Sequence, residues 1–234
     1  MNTRRKFFLN GSLAALGILA IEPIESFGKT LNTISDFSTD NSRSLVLAHT
    51  GKSCNFENPE ILDQLSGLRS KHPNLVLIHA GDNESNIQCE ASLYSSGPAS
   101  IIKNEYRIVN KGGIKIGIIS VDNDFNANQS ANDLAIYLKE SKNCQLVVCL
   151  SQLGFKSVTG DNDDITLALA SSHIDIIVGG NETNYSNRPY ISLNKNKEEV
   201  IINHAGANGL AMNSLEIGFS RAGKKNFAKF SKLS

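Results

Sequence analysis

The chain has 234 residues, and its 23 Lys and Arg are balanced by 23 Asp and Glu, so the formal net charge is zero. That balance excludes nucleic-acid binding by bulk charge, because no excess of cations is present to neutralise phosphates. Hydrophobic residues make up 40% and charged residues 20% of the chain, ordinary globular usage that argues against disorder over most of its length.

The chain opens with Thr3-Arg4-Arg5-Lys6, followed by an apolar stretch from Gly11 to Ile21. A helix of that length rises only about 16 Å, roughly half of a bilayer's hydrocarbon core. Residues 1–28 therefore read as an export signal and not as a membrane span. The adjacent arginines resemble a twin-arginine-type signal, which implies a periplasmic or otherwise exported protein. Residues 29–43 are polar and aperiodic and read as a tether. Residues 44–234 are expected to form one domain.

Ser44 to Thr50 is a short apolar run ending at a glycine, the pattern of a buried strand. Asn58-Pro59 starts a helix that runs to His72, with Ile61, Leu62, Leu65 and Leu68 on one face. Leu75 to Ile78 is a second buried strand. Glu105 to Val109 and Ile114 to Val121 flank Asn110-Lys-Gly-Gly113 and read as a hairpin. Ser130 to Lys142 is a helix, Gln145 to Leu150 a strand, Asp163 to Ser172 a short helix and Ile174 to Val178 a strand. The pattern then changes to strands joined by turns: Tyr190 to Leu193, Glu199 to Asn203, Leu215 to Phe219 and Phe227 to Phe230. Near-continuously apolar strands that alternate with helices imply a layered α/β domain with covered sheets. In such folds chemistry sits just past the carboxyl ends of the strands. Those ends are His49, His79, Ser151, Gly179 and Asn203 onward.

The cysteines are Cys54, Cys89, Cys144 and Cys149, and none forms a C-x-x-C pair. Export permits disulfides. Cys144 and Cys149 flank a strand that would hold them apart, which leaves a Cys54–Cys89 bridge or free buried thiols.

Taken together, the strand ends resemble the metallophosphatase domain of bacterial 5′-nucleotidases, in the calcineurin-like metallophosphoesterase superfamily. The resemblance is carried by Leu47-Ala-His-Thr50, by Ala80-Gly81-Asp82-Asn83, by the hairpin strand from Lys111 to Ile119, and by Val147-Val-Cys-Leu-Ser-Gln-Leu-Gly154. It continues through Ile174-Asp-Ile-Ile-Val-Gly-Gly180 and through Val200 to Gly206 with Asn208-Gly209. It implies a four-layer α/β/β/α sandwich with two mixed sheets, here shortened after the second motif. It also implies two metal ions that clamp a phosphate and activate a water.

The motif positions depart from that pattern. Where the resemblance implies an Asp and a His ligand in the first motif, the chain has Lys52 and Cys54. A lysine adds like charge to a dication site, although a cysteine thiolate can ligate zinc. Asp82, the bridging position, and Asn83 are retained. The third motif, with its Asn-His pair, is missing between Glu84 and Asn104. Gln152 stands where the fourth motif has a histidine, and Asn181 and Thr183 replace both histidines of the fifth. None of the five histidines falls on a histidine ligand position. An alternative ligand set is His49, His79 and His204 with Asp82, all assigned to strand ends; the other reading is hydrogen-bonded strand-end histidines. Asp161 to Asp164 start a helix or bind calcium at a loop.

The expected function is therefore that of an exported pseudoenzyme of this family, which binds a ligand or partner and needs no cofactor. Its expected partner is a separate nucleoside-binding chain or an envelope protein, since no second domain follows before Ser234. A Lys52–Asp82 ion pair is expected in place of the metals. The alternatives are a divergent metal-dependent phosphoesterase, using a Zn, Mn or Ca pair on Asp82 with rebuilt ligands, and a purely structural interaction protein.

Overall fold

Strand periodicity builds the molecule from its centre outward. The computed structural model describes residues 43–51, 54, 58–81, 88–93, 100, 101, 105–122, 126–157, 162–180, 188–205 and 212–233. The signal and nearly all of the tether lie outside these residues, as do Lys52, Asp82, Asn83, Asn181 and Thr183. The expected Lys52–Asp82 ion pair lies outside them too.

One mixed sheet contains β1 (Arg43–Thr50), β2 (Leu75–His79), β3 (Ala91–Ser92), β10 (Met212–Phe219) and β11 (Lys225–Leu233), in the order β11-β10-β1-β2-β3. The β1–β2 and β2–β3 pairs are parallel, and β10 runs antiparallel to both β1 and β11. The second mixed sheet contains β4 (Tyr106–Lys111), β5 (Ile114–Val121), β6 (Leu146–Ser151), β7 (Ile176–Gly179), β8 (Tyr190–Leu193) and β9 (Glu199–His204). Its order is β4-β5-β6-β7-β9-β8, parallel from β5 through β9 with an antiparallel strand at each edge. The expected hairpin is the β4–β5 pair. Its turn needs Gly112 and Gly113, both at positive φ, 56° and 72°.

Successive side chains of a strand point to opposite faces, so each strand serves two cores. The inner core lies between the sheets. Leu45 and Leu47 of β1, Val76 and Ile78 of β2, and Leu215, Ile217 and Phe219 of β10 meet Ile116, Ile118, Val148, Leu150, Ile176 and Val178 there. The intervening residues face outward under helices. Val46, Ala48, Leu75 and Leu77 pack beneath α1 (Pro59–Lys71) through Ile61, Leu65 and Leu68. Ile119, Val121, Val147, Cys149, Ile177 and Ile202 pack beneath α2 (Ala127–Ile136) and α3 (Asp164–Ala170). These are the four layers that the resemblance implies. Asn58 caps α1, accepting from the Glu60 amide at 3.0 Å, with Pro59 in the first turn. Asp163 caps α3 in a reciprocal pair with Thr166. α2 starts three residues before the expected Ser130 and continues as a wider π-type turn from Tyr137 to Ser141.

Two other details differ from expectation. β1 begins at Arg43, one residue early, and the Arg43 guanidinium donates to the Gly113 carbonyl at 2.7 Å. β3 is a strand of only two residues that the sequence pattern does not show. No described helix is long and apolar enough to cross a membrane.

Leu47 is fully buried between the sheets. Leu47→Ala is expected to lower stability by about 2–5 kcal/mol, read as a fall in urea midpoint at unchanged m-value. A loss under about 1 kcal/mol would show that the inner core is not close-packed there.

Candidate functional site

The carboxyl ends of β1, β2, β6, β7 and β9 meet at one end of the sandwich. Glycines allow the sheets to close on each other there. A methyl added to Gly180 would overlap the Ala80 carbonyl oxygen, and one added to Gly51 would lie 2.8 Å from the Ala205 carbonyl oxygen. The Gln152 side-chain amide donates to the Ala80 carbonyl at 3.3 Å. Main chain therefore meets main chain across the sheets, and Gln152 ties β6 to the end of β2. The histidine position of the fourth motif thus holds an amide engaged with backbone.

The three strand-end histidines stand on three different sides of the sheets. His49 continues the inner-facing row of Leu45 and Leu47. There Asn203 of β9 donates from Nδ2 to His49 Nε2 at 2.8 Å. Asn213 of β10, the cross-strand neighbour of His49, donates to the His204 carbonyl at 3.0 Å. These two hydrogen bonds join the sheets. His79 falls on the outer face of its own sheet, where its Nδ1 shares a hydrogen bond of 2.8 Å with Thr50 Oγ1. The ring rests against Gly81, where a methyl would come within 2.5 Å of it. His204 follows Asn203 and so faces the opposite way, outward under α3. Its Nε2 shares a hydrogen bond of 2.7 Å with Asp164 Oδ2, while Ser151 Oγ donates to the other oxygen, Asp164 Oδ1. The structure thus does not assemble His49, His79 and His204 into one cluster. Adjacent strand positions alternate faces, and a shared sheet edge does not overcome that alternation.

Burial sets the protonation of these groups. His49 is wholly enclosed, which drops its pKa to about 3, with the nearby His204 adding repulsion to the charged form. Burial raises the Asp164 carboxyl above its usual range, against the pull of the His204 and Ser151 hydrogen bonds. Cys54 is raised to about 11 by burial, only partly offset by a hydrogen bond with Thr50. Cys89, Cys144 and Cys149 are also raised by burial. All four cysteines are free, so neither Cys54 nor Cys89 is bridged. Cys149 lies within β6 itself and does not flank it.

Among the described residues, no three His, Cys, Asp or Glu side chains come together as metal ligands. Gln152 is engaged with backbone and the histidines face apart, while Lys52, Asp82, Asn83, Asn181 and Thr183, the other positions of the implied motifs, lie outside the described residues. The Ser151–Asp164–His204 network is the polar feature that sequence reading missed. Asp164 looks like one more residue of an acidic helix start. The available signal was that Ser151 and His204 close the outward-facing rows of β6 and β9, which converge under the first turn of α3.

The His49 shift carries a direct consequence for stability. A histidine whose pKa is lowered in the fold contributes stability above pH 6.5, and that contribution is lost as pH falls toward about 3. The expected slope is up to about 1.4 kcal/mol per pH unit from this group. His49→Gln keeps an acceptor for Asn203 and removes the titration. Urea denaturation across this range is expected to show a shallower pH dependence in the variant, by about one proton taken up on unfolding. Equal slopes in the two proteins would place His49 in contact with solvent.

No model of a known protein family and no curated protein sequence matches the chain. Solved structures do. The 5′-nucleotidase precursor from Thermus thermophilus superposes with a TM-score of 0.61 at 15% identity, over 81% of this chain and 54% of that one. The NAD nucleotidase of Haemophilus influenzae superposes at 0.63 and 17% identity, over 82% of this chain and 50% of that one. A putative 5′-nucleotidase from Staphylococcus aureus, solved in complex with alpha-ketoglutarate, superposes at 0.56 and 12%, over 81% and 54%. The chain thus spans about half the length of each of these proteins. Identity this low speaks to architecture, and the architecture is a metallophosphatase-like fold of the kind found in 5′-nucleotidases.

Proposed function

We propose that the chain is an exported, catalytically inactive member of the metallophosphatase group that acts by binding a partner or ligand. The observation that carries this reading is the chemistry at the strand ends. A two-ion phosphatase needs several carboxylates and neutral imidazoles converging on open space. Here the Gly180–Ala80 and Gly51–Ala205 contacts close the sheets together, and Gln152 commits its amide to backbone. The sequence adds Lys52 at a ligand position and lacks the Asn-His pair. Asp82 is the one ligand position retained, and a lone carboxylate holds a divalent ion weakly.

The signal read over residues 1–28 supports export, with Arg4 and Arg5 pointing to the twin-arginine route. The partner proposed is a separate chain carrying a nucleoside-binding domain, or an envelope protein.

The test is metal content after purification, together with hydrolysis of a generic phosphate ester in added manganese, zinc or calcium. Substoichiometric metal and no turnover above the buffer rate are expected. Stoichiometric metal with turnover abolished by Asp82→Ala would overturn the reading and establish a divergent phosphoesterase.

A further inference from the structure

The smaller sheet stops short on the side where the larger sheet ends in β4. β3 pairs only with Ile78 and His79 of β2, so no strand flanks Leu75 to Leu77. β4 lies across from this gap, and its Lys111 reaches Glu90 beside β3. Arg107, Val109 and Lys111 of β4 stand in register with Ile118, Ile116 and Ile114 of β5, which line the inner core. Cross-strand partners share a face, so these three residues point toward the space between the sheets. Val109 packs against the core there. Arg107 and Lys111 instead place cations in a row that is otherwise apolar.

They open onto a cavity of about 620 Å³ between the last turn of α1, β2 and β4, a size typical of small-molecule sites. Its lining holds three fixed cations, Arg69 of α1 with Arg107 and Lys111, together with His72 and one carboxylate, Glu90. That carboxylate is already engaged. Its Oε2 accepts from the Leu77 amide at 2.8 Å and its Oε1 pairs with Lys111 at 3.0 Å. The positive excess is therefore carried by two guanidiniums. Arg69 donates to the Gln88 carbonyl and Arg107 has a contact of its own, but a guanidinium has more donors than one acceptor uses. Both act on Cys89 in the cavity wall: burial and Glu90 raise this thiol, and Arg107 and Arg69 pull against the rise. Two negative features lie close by. The carbonyl end of α1 is opposed by Arg69 and Lys71 in its own last turn. Glu105, just before β4, is exposed and does not line the cavity.

We infer that this cavity binds a small dianionic molecule, a phosphate ester or a dicarboxylate, through Arg69 and Arg107. Guanidinium forks match the paired oxygens of either group, and two of them held by different elements match a double charge. Inward-pointing cations on an edge strand also discourage edge-to-edge pairing, but that role needs no guanidinium from α1. Leu75 begins β2, so the cavity lies toward the opposite end of that strand from His79 and apart from the strand-end residues. The inference goes beyond the binding reading above and does not depend on it.

The test is isothermal titration calorimetry of the full chain with phenyl phosphate and with succinate at low salt. Saturable one-site binding of at least one compound is expected, weakening with added salt, and the tighter of the two tells which head group the site takes. Arg69→Gln and Arg107→Gln should each weaken that binding about tenfold or more, the loss of one charged hydrogen bond. Arg69 is exposed, and unchanged thermal unfolding without ligand checks that the variants fold. No saturable binding of either compound would overturn the inference and leave the β4 cations the role of guarding an edge. Binding that either variant leaves intact would overturn it too, because the anion would then sit elsewhere, the strand ends included. Both failures leave the absence of hydrolysis standing, whereas phosphate-ester turnover would overturn the pseudoenzyme reading and leave this cavity untouched.

Discussion

Two mixed sheets packed face to face are the constraint on which everything else in this molecule depends. Each central strand sends every second side chain inward to the shared core and the others outward beneath a helix. Leu45, Leu47 and His49 are therefore one row, and Val46, Ala48 and Thr50 another, although they are interleaved in the sequence. The alternation continues to the last residue of each strand, where polar groups begin. It decides which of those groups meet and which never can.

At those ends the outcome is closure. Inner-row residues form clasps between the sheets, with Asn203 on His49 and Asn213 on the main chain of His204. Outer-row residues bond within their own layer, Thr50 with His79 and Ser151 and His204 with Asp164. Glycines let the main chains touch between these clasps. Buried polar groups cost little when each finds a partner and much when one is lost. The clasps join the sheets, although His49 Nδ1, His204 Nδ1 and Asn213 Oδ1 are buried without a hydrogen-bond partner among the described residues, which offsets part of their gain.

The larger sheet must terminate somewhere, and β8 ends it without the cationic protection that β4 and β11 carry.

Element type was largely legible in the sequence, since apolar runs bounded by turn residues leave few alternatives. β1, β2, β6 and β9, the Gly112-Gly113 hairpin and the Asn58-Pro59 helix start were readable because each is dictated by local chemistry: strand periodicity, positive φ, an N-cap. α2 is harder, because Ala127 and Ala131, buried through tertiary contact, carry little hydrophobic signal. β3 is shorter than any periodicity. The absence of histidine from the expected ligand positions was likewise a property of the sequence alone. What only the tertiary structure decided is who meets whom. It sent His49, His79 and His204 to three sides, and it brought Ser151, Asp164 and His204 together from three separate elements. Neighbouring positions in a strand are driven to opposite faces, while distant ones are joined by register, and register is set only when the whole sandwich packs.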